Sequence, residues 1–169
     1  MNIDDSGLVD VTGTTKLWST GTINLHGGGL TTGSFDNSEA GAFDFDDGTL
    51  TINGAGDVFH PGVDSFSIDG SIPADLPHLV IAGTASATLP GSLTIGASQR
   101  GKLTVESGGV VSNTDGYIGY ELGSTGIATV TGADSQWTNS SNLYVGRAGT
   151  GTLNVESGGV VSNTFGYIG

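Results

Sequence analysis

Residues 101–119 read GKLTVESGGVVSNTDGYIG, and residues 151–169 read GTLNVESGGVVSNTFGYIG, an offset of 50. A diverged copy lies between them, GIATVTGADSQWTNSSNLYVG at residues 126–146, so Gly101, Gly126 and Gly151 mark a period of 25. The first copy spans 18 positions from Gly101 to Gly119 with a connector of seven, whereas the middle copy spans 20 from Gly126 to Gly146 with a connector of five. A total that holds while its parts vary points to a physical constraint on the length of each unit.

Within a unit the apolar residues form three short clusters, Leu103/Val105, Val110/Val111 and Tyr117/Ile118, separated by glycine or by Ser, Asn and Thr. These are strand-length runs with period-two alternation, and no window has the i, i+3, i+4, i+7 spacing of a helix. The expected fold is all-β: a single-stranded parallel β-helix, or β-solenoid, with about 25 residues and three short strands per rung, each rung hydrogen-bonded to the next. Periodic positions then stack. Leu103, Ala128 and Leu153 form one inward column, Val105, Val130 and Val155 a second, and Tyr117, Tyr144 and Tyr167 a third. Asn113, Asn139 and Asn163 align as a structural ladder at a strand corner, where asparagine tolerates left-handed backbone angles and bonds to its stacked neighbours. Asn139-Ser140-Ser141 is formally a glycosylation sequon, but its place in that ladder favours the structural role.

Upstream the pattern is noisier. Leu79–Gly96 repeats the sense of Leu103–Gly119, with Leu93, Ile95 and Gly96 in place of Tyr117 to Gly119. Trp18 and Trp137 are expected in comparable turns, and residues 30–54 bring Phe35, Phe43 and Phe45 into what read as wider rungs. The stretch 57–77 holds three of the four prolines and is the least periodic, so a loop or insertion is expected there. Residues 1–169 thus read as one solenoid segment of six or seven rungs, less regular over 1–75 and regular over 76–169. It reads as an excerpt of a longer chain.

Composition agrees. Glycine accounts for 31 of 169 residues, far above the usual ~7 per cent, yet without the every-third spacing and proline of collagen. No cysteine means no disulfide scaffold and no thiolate metal site. Four basic residues face seventeen acidic ones, a net charge of -13. That balance excludes the cationic footprint that nucleic acid or an anionic membrane surface requires. Twelve of the acids lie in residues 1–84 and five in 85–169; solubility through repulsion is the plainest reading. No run approaches the ~20 apolar residues of a membrane-spanning helix, so no membrane insertion is expected, and the opening Met1-Asn-Ile-Asp-Asp lacks the features of a signal peptide.

The quoted units resemble a known family. Val130, Gly132, Ser135, Trp137, Thr138, Asn139, Ser140 and Leu143 to Gly146, followed by Gly149, Gly151, Leu153, Val155, Gly158, Gly159, Val161, Ser162 and Asn163, are similar to the repeats of bacterial autotransporter passenger proteins. The same repeats occur in large exported proteins with PEP-CTERM sorting signals, and residues 28–54 resemble the strand repeats found beside them. The resemblance implies a right-handed β-helix that is secreted or on the surface of a Gram-negative type cell. It supplies no catalytic residue.

Several residue groups are candidates for chemistry. Asp44, Asp46 and Asp47 form the densest carboxylate group and could offer oxygens to calcium, the one cofactor considered, although the EF-hand spacing is missing. With Phe43 and Phe45 inward, Asp44 and Asp46 also suit the outward face of a strand. Arg100, Lys102 and Arg147 near rung boundaries are what a polysaccharide lyase or glycosidase reading, or a glycan-binding module, would use; offsetting acids such as Glu121 is the simpler role. His26, His60 and His78 lack metal-ligand spacing, so no catalytic residue is assigned. Thr94, Thr104, Thr129 and Asn154 read as an outward polar ladder of the kind some ice-binding solenoids use, or as an ordinary exposed sheet face. The expectation is therefore a non-enzymatic structural or adhesive segment, whose partners are neighbouring β-helix segments of the same longer chain and glycans or other cell-surface components. The unpaired backbone of the last rung predicts end-to-end self-association.

Overall fold

The computed structural model describes residues 1–169 and consists of strands and turns alone. Every strand pairing is parallel, and the long sheet that runs the length of the molecule stacks one strand from each of seven turns: Leu8–Lys16, Gly29–Asp36, Thr49–Ile52, His78–Ala82, Arg100–Glu106, Thr125–Thr131 and Thr150–Glu156. The fold is a parallel β-solenoid.

Register gives each turn its length. Gly101 lies opposite Gly126, and Gly126 opposite Gly151, so the 25-residue period is the turn itself. Within it the insertions cancel: Val111 pairs with Trp137 and Ile118 with Val145, then the connector shortens and the long sheet regains its register. The marker glycines have a steric cause. A Cβ on Gly126 would fall on the carbonyl oxygen of Ile95, and one on Gly151 on that of Ile118, because the backbone of one turn presses on the corner of the next. Ser107-Gly108 and Ser157-Gly158 make the next corner with both residues at positive φ, a geometry that suits glycine at the second position.

The cross-section changes along the axis. From His78 onward each turn has three strands: the long sheet is followed by a second sheet (Ala85–Thr88, Val110–Asn113, Gln136–Asn139, Val160–Ser162) and a third (Leu93–Ile95, Gly116–Ile118, Asn142–Val145, Phe165–Ile168). Before Thr49 the turns instead have two strands, one of a short sheet formed by Asn2–Asp4, Thr22–His26 and Ala42–Phe45 and one of the long sheet. They are narrower than expected: Leu8 pairs with Gly29 and Gly29 with Thr49, offsets of 21 and 20. The phenylalanines there do not widen a rung. They fill the transition between the two cross-sections, where Phe35 contacts Phe43 and Phe59 at centroid distances of 4.7 and 6.0 Å, and Phe59 contacts Phe66 at 5.2 Å. Stretch 57–77 belongs to the longest turn, from Thr49 to its partner His78. It is not all loop, since Phe59–His60 pairs with Phe35–Asp36 and Phe66–Ile68 starts the third sheet.

The core is a set of stacked columns. Leu30, Leu50, Leu79, Leu103 and Ala128 are all at most 2% exposed, as are Ile52, Ile81, Val105 and Val130 beside them. Both columns end in the last turn, where Leu153 is half-buried and Val155 exposed. Trp137 is fully buried in a column whose other members are Ala87, Val111 and the partly buried Val161. Room for it comes from Gly116 in the preceding turn, where a Cβ would approach the indole to 3.0 Å, and from Ala128 in its own turn, where the neighbouring turns carry leucine. Trp18, by contrast, is 58% exposed under the Lys16 ammonium, so the two tryptophans are not equivalent.

Candidate functional site

The tyrosines stack, but on the outside. Thr94, Tyr117, Tyr144 and Tyr167 are in register on the third sheet, with ring centroids of the tyrosine pairs 5.0 and 4.7 Å apart and nearly parallel. Successive residues of a strand face opposite ways, and the inward place is taken by Ile95 and Ile118, both fully buried. The phenols therefore point outward with their hydroxyls in water, which corrects the expected inward column and puts Thr94 rather than Leu93 opposite Tyr117. Tyr120 meets Tyr117 edge-on at 5.0 Å, and the Arg147 guanidinium lies 4.5 Å from the Tyr120 ring centroid. Partial burial, then the Asp115 carboxylate, raises the Tyr117 hydroxyl above its ordinary value and keeps it a neutral donor. Tyr144, Arg147, Tyr167 and Ile168 border an open hollow of about 500 Å³. Arg100 and Lys102 lie elsewhere, on the long sheet, with Lys102 in register with His78.

The asparagine ladder is a buried network. Asn113 donates from Nδ2 to Asn139 Oδ1 at 2.8 Å and accepts at Oδ1 from Trp137 Nε1 at 2.7 Å. Asn139 is 2% exposed, with its Nδ2 unpartnered, while Asn163 in the last turn is exposed and bonds to neither. In the folded chain burial keeps the Asn139 amide out of reach of a glycosylating enzyme.

The three aspartates do not converge on one point. Asp47 Oδ1 accepts a hydrogen bond from the Leu76 backbone N–H at 2.9 Å and so docks the long turn. Asp44 and Asp46 face outward with His26 from the preceding turn, and one ligand atom of each lies within 4.8 Å of the others. Several further acids that the sequence suggested were merely solvated tie one turn to the next. Asp69 accepts from the N–H groups of Ser98 and Gln99, Asp57 from that of Thr88, and Asp115 from the backbone and side chain of Asn142. Asp36 is held well below the usual carboxylate range, first by the hydroxyl and N–H of Ser38 and then by the Lys16 ammonium.

The largest hollow, about 540 Å³, is an open groove beside the long turn lined by Ser38, His60, Asp64 and Thr88 among others. Those side chains form no relay, since the hydrogen bond Ser38 makes runs from its backbone N–H to Asp36 Oδ1 at 2.9 Å and none joins it to His60 or Asp64. The outer face of the long sheet carries Thr31, Thr51, Thr104 and Thr129 in one column, broken by Val80; Thr94 is on another sheet. Beside that column, His78 hydrogen-bonds Thr104 Oγ1 at 2.8 Å, and burial, followed by the neighbouring Lys102 charge, lowers its pKa to about 4. The face is therefore not a regular threonine array. No known protein family, curated protein or solved structure matches this chain.

Proposed function

We propose that this chain is a non-enzymatic structural and adhesive segment of an exported bacterial cell-surface protein, and that its contact face for glycans is the tyrosine–arginine edge. One observation carries the proposal: the repeated turns hold Tyr117, Tyr144 and Tyr167 in an exposed stack on a parallel scaffold, with Tyr120 and Arg147 at its margin. A solenoid gives such a row fixed spacing at no further ordering cost. Tyrosine and arginine suit the role because each offers a flat apolar surface and polar groups at its edge.

The test is retention of the chain on a panel of immobilised neutral and acidic glycans. Truncating contact residues of this type costs ~2 kcal/mol where they anchor an interface, so Tyr144→Ala with Arg147→Ala is expected to lower affinity at least ~10-fold. Unchanged retention would remove the edge from consideration. Release of shortened sugar products, abolished by changing Arg147 or Lys102, would replace adhesion with catalysis.

A further inference from the structure

The outer face of the short N-terminal sheet brings together a nitrogen and two oxygen ligands from separate turns. On it Asn2, Asn24 and Asp44 stack in one column, and Asp4 and His26 pair in the next, which continues to Asp46 one step beyond the paired residues Leu25 and Phe45. The inward residues of these strands, Ile3, Ile23, Leu25 and Phe45, are all buried. The strands are thereby fixed from behind, and the polar columns are held facing water. Asp44 and Asp46 are two residues apart on one chain segment, so both carboxylates leave the same face. His26 Nε2 lies 3.3 Å from Asp44 Oδ2, and all three ligand atoms fall within 4.8 Å of one another.

We propose that His26, Asp44 and Asp46 form a binding site for a divalent transition-metal ion of the zinc or nickel class. Ligand atoms held at about 2.0–2.2 Å from a zinc ion lie roughly 3–4 Å apart, so the side chains need close by only about an ångström. The imidazole selects against calcium and magnesium, which take oxygen ligands, in favour of ions that accept nitrogen. Three protein ligands on one side leave the outer positions to water or to a group from another molecule. Bound metal would also join the second turn, which supplies His26, to the third, which supplies both carboxylates, at the acidic end of the chain.

Zinc chloride titrated into the full chain by calorimetry tests the site, with copper(II), a paramagnetic ion that accepts imidazole nitrogen, as a probe of its position. One saturable zinc site is expected, and copper(II) should broaden the amide signals of His26, Asp44 and Asp46 first. His26→Ala and Asp44→Asn should each weaken zinc binding ~10-fold or more, whereas His60→Ala should leave it unchanged. The proposal is overturned if zinc does not saturate below the millimolar range or if His26→Ala binds as the unaltered chain does. Broadening centred on another carboxylate group would overturn it equally, and that readout needs no variant to fold. A negative result here leaves the tyrosine edge untouched, since the two sites share no residue.

Discussion

Replacing Asn113 by alanine isolates what the buried ladder contributes. In the intact chain the Asn113 amide is 4% exposed and satisfies two partners, the Trp137 Nε1–H at 2.7 Å and the Asn139 Oδ1 at 2.8 Å. Truncation strands both in surroundings where Trp137 is 0% and Asn139 2% exposed. An abandoned buried donor or acceptor costs about 1–3 kcal/mol, so the two together predict a loss of roughly 2–6 kcal/mol. For a chain of this size each kcal/mol lowers the melting temperature by about 2–4 °C, which places the shift between roughly 4 and 24 °C. Solenoids unfold by neighbouring turns rather than always as one unit, so the loss should be local as well. Amide exchange should accelerate across Val110–Asn113 and Gln136–Asn139 before it does at Gly29–Asp36. Asn163→Ala, at an exposed position, is the control and should stay within ~0.5 kcal/mol. Adding Trp137→Phe to Asn113→Ala removes one of the stranded groups, so the double variant should lose less than the two single losses combined. An Asn113→Ala chain that melts and exchanges like the parent would refute the claim that the ladder satisfies the tryptophan.

Two further outcomes follow from the same geometry. Gly126→Ala should destabilise by several kcal/mol, because its Cβ would collide with the Ile95 carbonyl, which is backbone and cannot swing aside, while Gly13→Ala meets nothing within 4 Å; comparing their urea midpoints decides this. His78 titrates near 4 in the folded chain against 6.5 ordinarily. Above pH 6.5 both states are neutral at this position and it contributes no pH dependence. As pH falls from 6.5 toward 4 the unfolded chain takes up the proton and the folded chain does not, so stability drops, by about 1–2 kcal/mol once solvent screening of this partly exposed ring is allowed for. His78→Gln should flatten that part of the stability–pH curve, and a slope identical to the parent's would assign it to other groups.

The regular turns were legible because their constraints repeat. Gly101, Gly126 and Gly151 recur at 25 since each sits against a carbonyl of the preceding turn, and compensating insertions around Trp137 show that the long sheet's register governs. The direction of the tyrosines was not legible. Tyr117-Ile118 is a pair of adjacent apolar residues, and alternation says that one faces inward without saying which; isoleucine wins because it has no polar end to solvate. The narrow two-strand turns were missed for a related reason, since Phe35, Phe43 and Phe45 signal volume to be filled but not that the volume lies where two cross-sections meet. Nor could the roles of Asp57, Asp69 and Asp115 be read, because their partners stand 27 to 31 residues ahead and become neighbours only once register is known.

The same offsets explain why local motif searching finds so little chemistry in this chain. In a parallel solenoid, residues adjacent in space belong to successive turns, so a site is assembled down a column: Tyr117 with Tyr144, and His26 with Asp46. A motif confined to a few consecutive residues can describe only one layer of such a site. Repetition of inward residues also weakens sequence as a guide to function, because residues that recur buried in every turn, such as Leu103 and Val105, are those that every turn needs to pack. Functional candidates are better sought where one turn departs from its neighbours and the departure faces outward. Ala128 and Trp137 depart inward and balance one another in volume, which is packing. Tyr120 with Arg147, and His26 between Asp4 and Asp46, depart outward without relieving any strain in the core, and for that reason they are the positions where substitution should alter binding while leaving the fold intact.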